Sequence, residues 1–120
     1  MIRGIRGATT VSLNDKEEII RATTLLLEQL IEQNDVEPNR VASIQFTMTR
    51  DLDAVFPAEA VRAFKGWSNV PLLCSSEIPV QGALPLCIRL LMTVNTSINQ
   101  QQIKHVYLEK AISLRPDLAS

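Results

Sequence analysis

Hydrophobic and polar residues alternate strictly from residue 41 to 48: Ala42, Ile44, Phe46 and Met48 face one way, and Ser43, Gln45 and Thr47 the other. That period of two predicts a half-buried strand. Between residues 15 and 34 the period changes. Ile19, Ala22, Leu26 and Leu30, flanked by Ile20, Leu27 and Ile31, recur at helical spacing, with Glu18, Arg21, Glu28, Gln29 and Glu32 opposite. Asn14 as cap, with Glu17 three residues on, opens this helix. Asn34 and Asp35 end it, and Pro38 shuts it off. Residues 86–94 are apolar at nearly every position, interrupted by Arg89, and predict a strand covered on both faces.

Weaker patterns fill the rest. Residues 2–11 predict a strand in which Gly4 and Gly7 leave backbone open to a close neighbour or a ligand. Residues 70–75 and 104–108 predict two more strands. Residues 56–67 predict a short helix, with Pro57 in its first turn and Gly66 at its end. Residues 77–82 form a loop, 99–102 a turn of helix, and 109–114 fit either state. Pro116 keeps the 115–118 tail from being helical. Five strands, one long helix and one short helix, in an order that is not a βαβ repeat, predict an α+β domain with a mixed sheet. One long helix covers one face only, so the aliphatic residues of the other face predict burial against further copies of the chain.

The chain has 120 residues, which predicts a single domain over 1–120. Hydrophobic residues make up 46% and aromatics 4%, so the core is aliphatic. A net charge of −1 gives no footprint for nucleic acid or a membrane surface. No run reaches the roughly 20 apolar residues of a membrane span, and residues 1–6 lack the apolar core of a signal peptide. Two cysteines, Cys74 and Cys87, make no disulfide framework and lack metal spacing, which predicts a reducing, cytoplasmic setting. A single histidine, His105, argues against a His-based metal site or a Ser-His-Asp triad.

The charged residues in apolar or glycine-rich context are Arg6, Arg62, Glu77, Arg89 and Arg115. An arginine inside an apolar strand is costly to bury unless something negative meets it. Either a carboxylate of the protein or an anionic ligand can fill that role. Four arginines and one glutamate suit an anionic small molecule, because guanidinium forks grip carboxylates through paired hydrogen bonds. Cys74 lies three residues before Glu77 at a strand end, so both can reach one pocket, and Tyr107 adds a phenol. Each has a plain alternative: Arg3, Arg62 and Arg115 as surface charges, the cysteines as small core residues, Tyr107 as cover for a sheet edge.

Several stretches resemble one family. They are Met1-Ile2-Arg3-Gly4-Ile5-Arg6-Gly7-Ala8-Thr9-Thr10, Ala54-Val55-Phe56-Pro57-Ala58, Cys87-Ile88-Arg89, His105-Val106-Tyr107-Leu108-Glu109-Lys110 and Leu114-Arg115-Pro116-Asp117-Leu118. Together they resemble the monofunctional, homotrimeric class of chorismate mutase, which is mixed α and β and distinct from the all-helical class. The resemblance implies a five-stranded mixed sheet on one long helix, with three copies forming a barrel-like core and active sites between subunits. It implies the Claisen rearrangement of chorismate to prephenate in aromatic amino-acid biosynthesis, without nucleophile, proton transfer, metal or cofactor.

The resemblance also implies roles. Arg89 faces the ether oxygen, in place of an internal ion pair. Arg6 grips a substrate carboxylate with help from Tyr107. Glu77 and Cys74 bond the ring hydroxyl, and Glu77 balances charge on the ring. Phe56 forms a pocket wall, Arg62 sits beside the other carboxylate, and Leu114 and Arg115 belong to a C-terminal segment that closes over ligand. Residues 115–120 are expected to be a mobile tail. Glu59 stands where relatives often carry lysine, Leu73 where threonine is familiar, and the chain stops at Ser120, which implies a shorter lid. Two rivals share these residues: a trimeric module that binds a dicarboxylate without turnover, and an imine hydrolase on a similar scaffold.

Overall fold

The computed structural model describes residues 1–114. The expected tail, 115–120, and with it Arg115, lies outside the described residues. Five strands form one sheet: β1 (Ile2–Thr10), β2 (Val41–Met48), β3 (Leu72–Ser76), β4 (Cys87–Asn95) and β5 (Val106–Tyr107). Their spatial order is β3-β2-β4-β1-β5. β4 runs antiparallel to both β1 and β2, while β3 lies parallel to β2 and β5 parallel to β1. The sheet is therefore mixed, as the order of elements predicts.

One helix, α1 (Lys16–Asn34), covers one face of this sheet. Its Leu26, Leu27 and Leu30 pack with Ile5, Ile44, Phe46, Leu90, Met92 and Val94 in a single aliphatic core. The approach is close at Gly7. A Cβ there would lie 3.2 Å from Leu30 Cδ1 and 3.3 Å from Leu26 Cδ1, so this glycine admits the helix.

The start of α1 differs from the sequence expectation by one residue, while its end at Asn34 and Asp35 is as expected. Asp15, not Asn14, is the cap: its carboxylate accepts from Glu18 N–H at 3.1 Å. An anion at a helix N-terminus also meets the favourable end of the dipole. Asn14 instead ties down the distant 53–54 segment, accepting from Asp53 N–H at 3.0 Å and Ala54 N–H at 3.1 Å. At the other end Asp35 takes a left-handed conformation (φ 51°), and Val36 N–H reaches back to the Ile31 carbonyl at 3.0 Å.

Four further expectations are corrected. β2 carries a register shift between Val41 and Ser43, which turns Val41 inward and Ala42 outward, against the strict alternation. The short helix expected over 56–67 is a 3-10 helix confined to Pro57–Ala63, without a side-chain cap. β3 begins at Leu72, because Val70 is held in a turn by Trp67. Leu86 precedes β4 in the left-handed region (φ 51°), which a branched side chain resists. It is held there by Asp51, which accepts from its N–H at 2.9 Å, and by Val11 N–H on its carbonyl.

β4 is covered on one face only within the chain. Ile88, Leu90, Met92 and Val94 are buried, whereas Arg89 and Leu91 are exposed. Register puts Arg89 beside Ala8 and Thr47, Leu91 beside Arg6 and Gln45, and Tyr107 beside Ala8. One face of the sheet is thus the core, and the other presents Arg6, Gln45, Thr47, Arg89 and Tyr107.

Asn34 ends α1 and is buried. It accepts from Lys104 N–H at 2.8 Å and donates to the Lys104 carbonyl at 2.8 Å and to that of Leu30 at 2.9 Å. Replacing it with alanine leaves both main-chain groups of Lys104 without this partner. Asn34→Ala is expected to lower stability by about 1–3 kcal/mol, read as a lower urea midpoint at unchanged slope.

Candidate active site

The open sheet face carries the chemistry. Arg89 grips Glu77 through two bonds, Nε to Oε2 at 2.6 Å and Nη2 to Oε1 at 2.5 Å. Glu77 stands just past β3, where its N–H extends the ladder by bonding the Met48 carbonyl at 2.9 Å. Thr47 Oγ1 donates a further hydrogen bond to Glu77 Oε2. The Arg89 guanidinium holds the Glu77 carboxyl below its ordinary range against the opposing effect of burial, and Thr47 adds to the lowering. The same bond raises the pKa of Arg89. Both groups are therefore charged at neutral pH.

Within the single chain the Arg89 side chain is 53% exposed, because α1 covers only the opposite face. One expectation is corrected: Arg89 does have a protein carboxylate as partner, which the family resemblance sets aside.

Arg6, Arg89, Tyr107 and Leu114 line one cavity of about 470 Å³, together with Gln45, Thr47 and Leu91. A second, larger groove of about 790 Å³ is lined by Phe56, Glu59, Arg62, Leu73 and Cys74. The residues singled out in the sequence are thus split between two places. Cys74 pairs with Phe46 in the sheet and so turns to the core side, away from Arg89 and Glu77. Burial pushes its thiol up, with a backbone hydrogen bond from Ala58 working against this. Cys87 is buried, and its thiol is pushed up to about 11, chiefly by burial. Neither cysteine is a ready nucleophile. Among the described residues, no group of three or more His, Cys, Asp or Glu side chains could hold a metal ion.

In the groove Glu59 and Arg62 form an ion pair at 3.1 Å on an exposed turn. Sequence reasoning missed Thr47 and Gln45 as parts of the cavity. The signal was present, since both lie on the polar side of the alternating strand, the side that register places next to Arg89 and Leu91.

The sequence pattern of the chorismate mutase type I family matches residues 2–118. The chain belongs to that family.

Two curated relatives agree along nearly the whole length. The chain is 54% identical to chorismate mutase AroH of Bacillus subtilis over 99% of this chain and 94% of the relative. It is 47% identical to chorismate mutase AroH of Thermus thermophilus over 100% of this chain and 98% of the relative. A chorismate mutase structure from Clostridium thermocellum superposes with a TM-score of 0.88 at 49% identity, covering 92% of this chain and 97% of that one. The family expected from the quoted motifs and the five-stranded mixed sheet on one long helix are both found.

Glu77 gives a pH test. Its folded pKa lies below the ordinary value of 4.5, so the unfolded chain binds more protons in acid. The contribution of the Arg89 pair is complete above the ordinary value and is lost as pH falls through the lowered one. Melting temperature measured from neutral pH into acid is expected to fall less steeply in Glu77→Gln than in the parent chain.

Proposed function

We propose that the chain catalyses the rearrangement of chorismate to prephenate, as a cytoplasmic homotrimer whose active sites form between subunits. The reaction is one pericyclic step in which an ether C–O bond breaks as a C–C bond forms. The protein has two tasks. It holds a flexible dicarboxylate in the compact conformer that reacts, and it sets positive charge where the ether oxygen becomes negative.

The observation that carries this reading is the Arg89–Glu77 fork, which orients an arginine that lines one cavity with Arg6 and Tyr107. The fork occupies Nε and Nη2, and among the described residues Nη1 has no hydrogen-bond partner. Glu77 fixes the plane of the guanidinium, and Nη1 is left as the donor to the developing oxyanion. Arg6 and the Tyr107 hydroxyl then take one substrate carboxylate. Glu77 offsets positive charge growing on the ring.

The split of the site residues supports the subunit arrangement. Phe56, Arg62 and Cys74 line a groove at the β3 edge of the chain, apart from the cavity of Arg6 and Arg89. A neighbouring copy that brings its groove over the cavity completes the set. Leu73 at 63% exposure and Leu91 at 42% give that contact apolar area.

Two outcomes test the reading. Arg89→Ala, and also Arg89→Lys, is expected to lower kcat by on the order of 10²–10³, followed as loss of chorismate absorbance with prephenate identified as product. Near-parental turnover by Arg89→Ala would remove the mechanism. Glu59 competes with substrate for Arg62, so Glu59→Gln is expected to lower KM for chorismate by about twofold, the scale of an exposed helix-type ion pair, at unchanged kcat. The difference should shrink in high salt.

A further inference from the structure

β5 is only two residues long, and the ladder it forms with β1 ends early. Leu108 N–H bonds the Ala8 carbonyl at 2.9 Å. One repeat earlier in a parallel ladder, Arg6 N–H would meet the Lys104 carbonyl. That carbonyl instead accepts from the buried Asn34 side chain at 2.8 Å. His105 takes its place: Arg6 N–H donates to His105 Nδ1 at 2.9 Å. An imidazole side chain thus continues the sheet where the main chain leaves it.

Arg6 and Tyr107 face the same cavity. His105 therefore lies between two groups on that cavity, bonding the main chain of one and preceding the other by two residues. Its own backbone is fixed from the helix side, since both main-chain groups of Lys104 are held by Asn34. A chain of contacts runs from α1 through Lys104 and His105 to the backbone of Arg6.

We infer that His105 is a positioning residue for Arg6, setting the β1 backbone at the point from which the Arg6 guanidinium reaches a substrate carboxylate; this rests on the function proposed above. The imidazole touches no reacting atom. It acts by accepting through Nδ1, and it must keep that nitrogen unprotonated to do so. Because the carboxylate contact exists in substrate and transition state alike, its loss falls on KM and not on kcat.

The test compares His105→Leu with His105→Asn. Asparagine keeps an acceptor at the δ position, and leucine keeps the bulk without it. His105→Leu is expected to raise KM for chorismate roughly three- to tenfold, the range of one net hydrogen bond, with kcat nearly unchanged. His105→Asn should recover most of the loss. In an Arg6→Ala background, His105→Leu should add nothing further. Amide hydrogen exchange at Arg6 should quicken in the leucine variant and not in the asparagine variant. Unchanged KM and unchanged Arg6 exchange in His105→Leu, or an equal KM increase with and without Arg6, overturns the inference. Should the leucine variant fail to fold, His105→Gln, which moves the acceptor one bond outward, supplies the same contrast. If the parent chain does not turn over chorismate, the proposed function fails, while the Arg6 exchange contrast still decides the positioning role.

Discussion

A single helix lies on a five-stranded sheet, and everything else follows from that imbalance. Alternation along a strand sends successive side chains to opposite faces. With α1 over one face, Ile5, Ile44, Phe46, Leu90 and Met92 become core. Their neighbours Arg6, Gln45, Thr47, Arg89 and Leu91 are left on the other. The same pairing register that builds the core assembles the candidate site, since Ala8 and Thr47 flank Arg89 while Arg6 and Gln45 flank Leu91. A one-residue slip of β4 would send its apolar residues to the open face and Arg89 into the core, so the core enforces the site.

The Arg89–Glu77 fork is better understood as geometry than as stability. A half-exposed ion pair contributes only about 0–1 kcal/mol. Its two parallel bonds do something else: they fix the orientation of a planar guanidinium that otherwise turns about a long flexible stem. Thr47 and the Glu77 main chain, bonded to Met48, fix the carboxylate in turn. Removing Glu77 frees Arg89 to move, and removing Arg89 leaves a partly buried carboxylate without its main partner.

Much of this was legible in the sequence, and the failures have physical causes. The long helix, the alternating strand and the apolar strand announced themselves because each has one clear period. The bulge at Val41–Ser43 did not, since a register shift leaves no mark in residue type. Asp15 won the cap from Asn14 because both residues suit that position and only tertiary contacts with 53–54 separate them. The left-handed Leu86 was invisible for the same reason. For the site, Arg89 and Glu77 stood out as charges among apolar residues. Their mutual pairing did not, because it depends on β3 and β4 both flanking β2. Cys74 and Glu77 looked like partners three residues apart at a strand end. The sheet turns Cys74 inward beside Phe46 and the chain leaves β3 before Glu77, so within one chain their proximity in sequence does not bring them together.

The two surfaces differ in how firmly they are held, and that difference matches two kinds of work. Arg6 and Arg89 stand on central strands hydrogen-bonded on both sides, and Tyr107 on a strand paired to β1. Arg62, Glu59 and Phe56 stand on or beside short 3-10 turns, and Leu114 ends another. Groups that must hold the substrate, or meet a transient charge, within a fraction of an ångström belong on the rigid part. Groups that admit and enclose a ligand can sit on segments with fewer main-chain bonds, where opening costs less. The exposed Glu59–Arg62 pair falls in the second class, so its charge balance bears on capture of an anion and leaves the field around Arg89 set chiefly by Glu77.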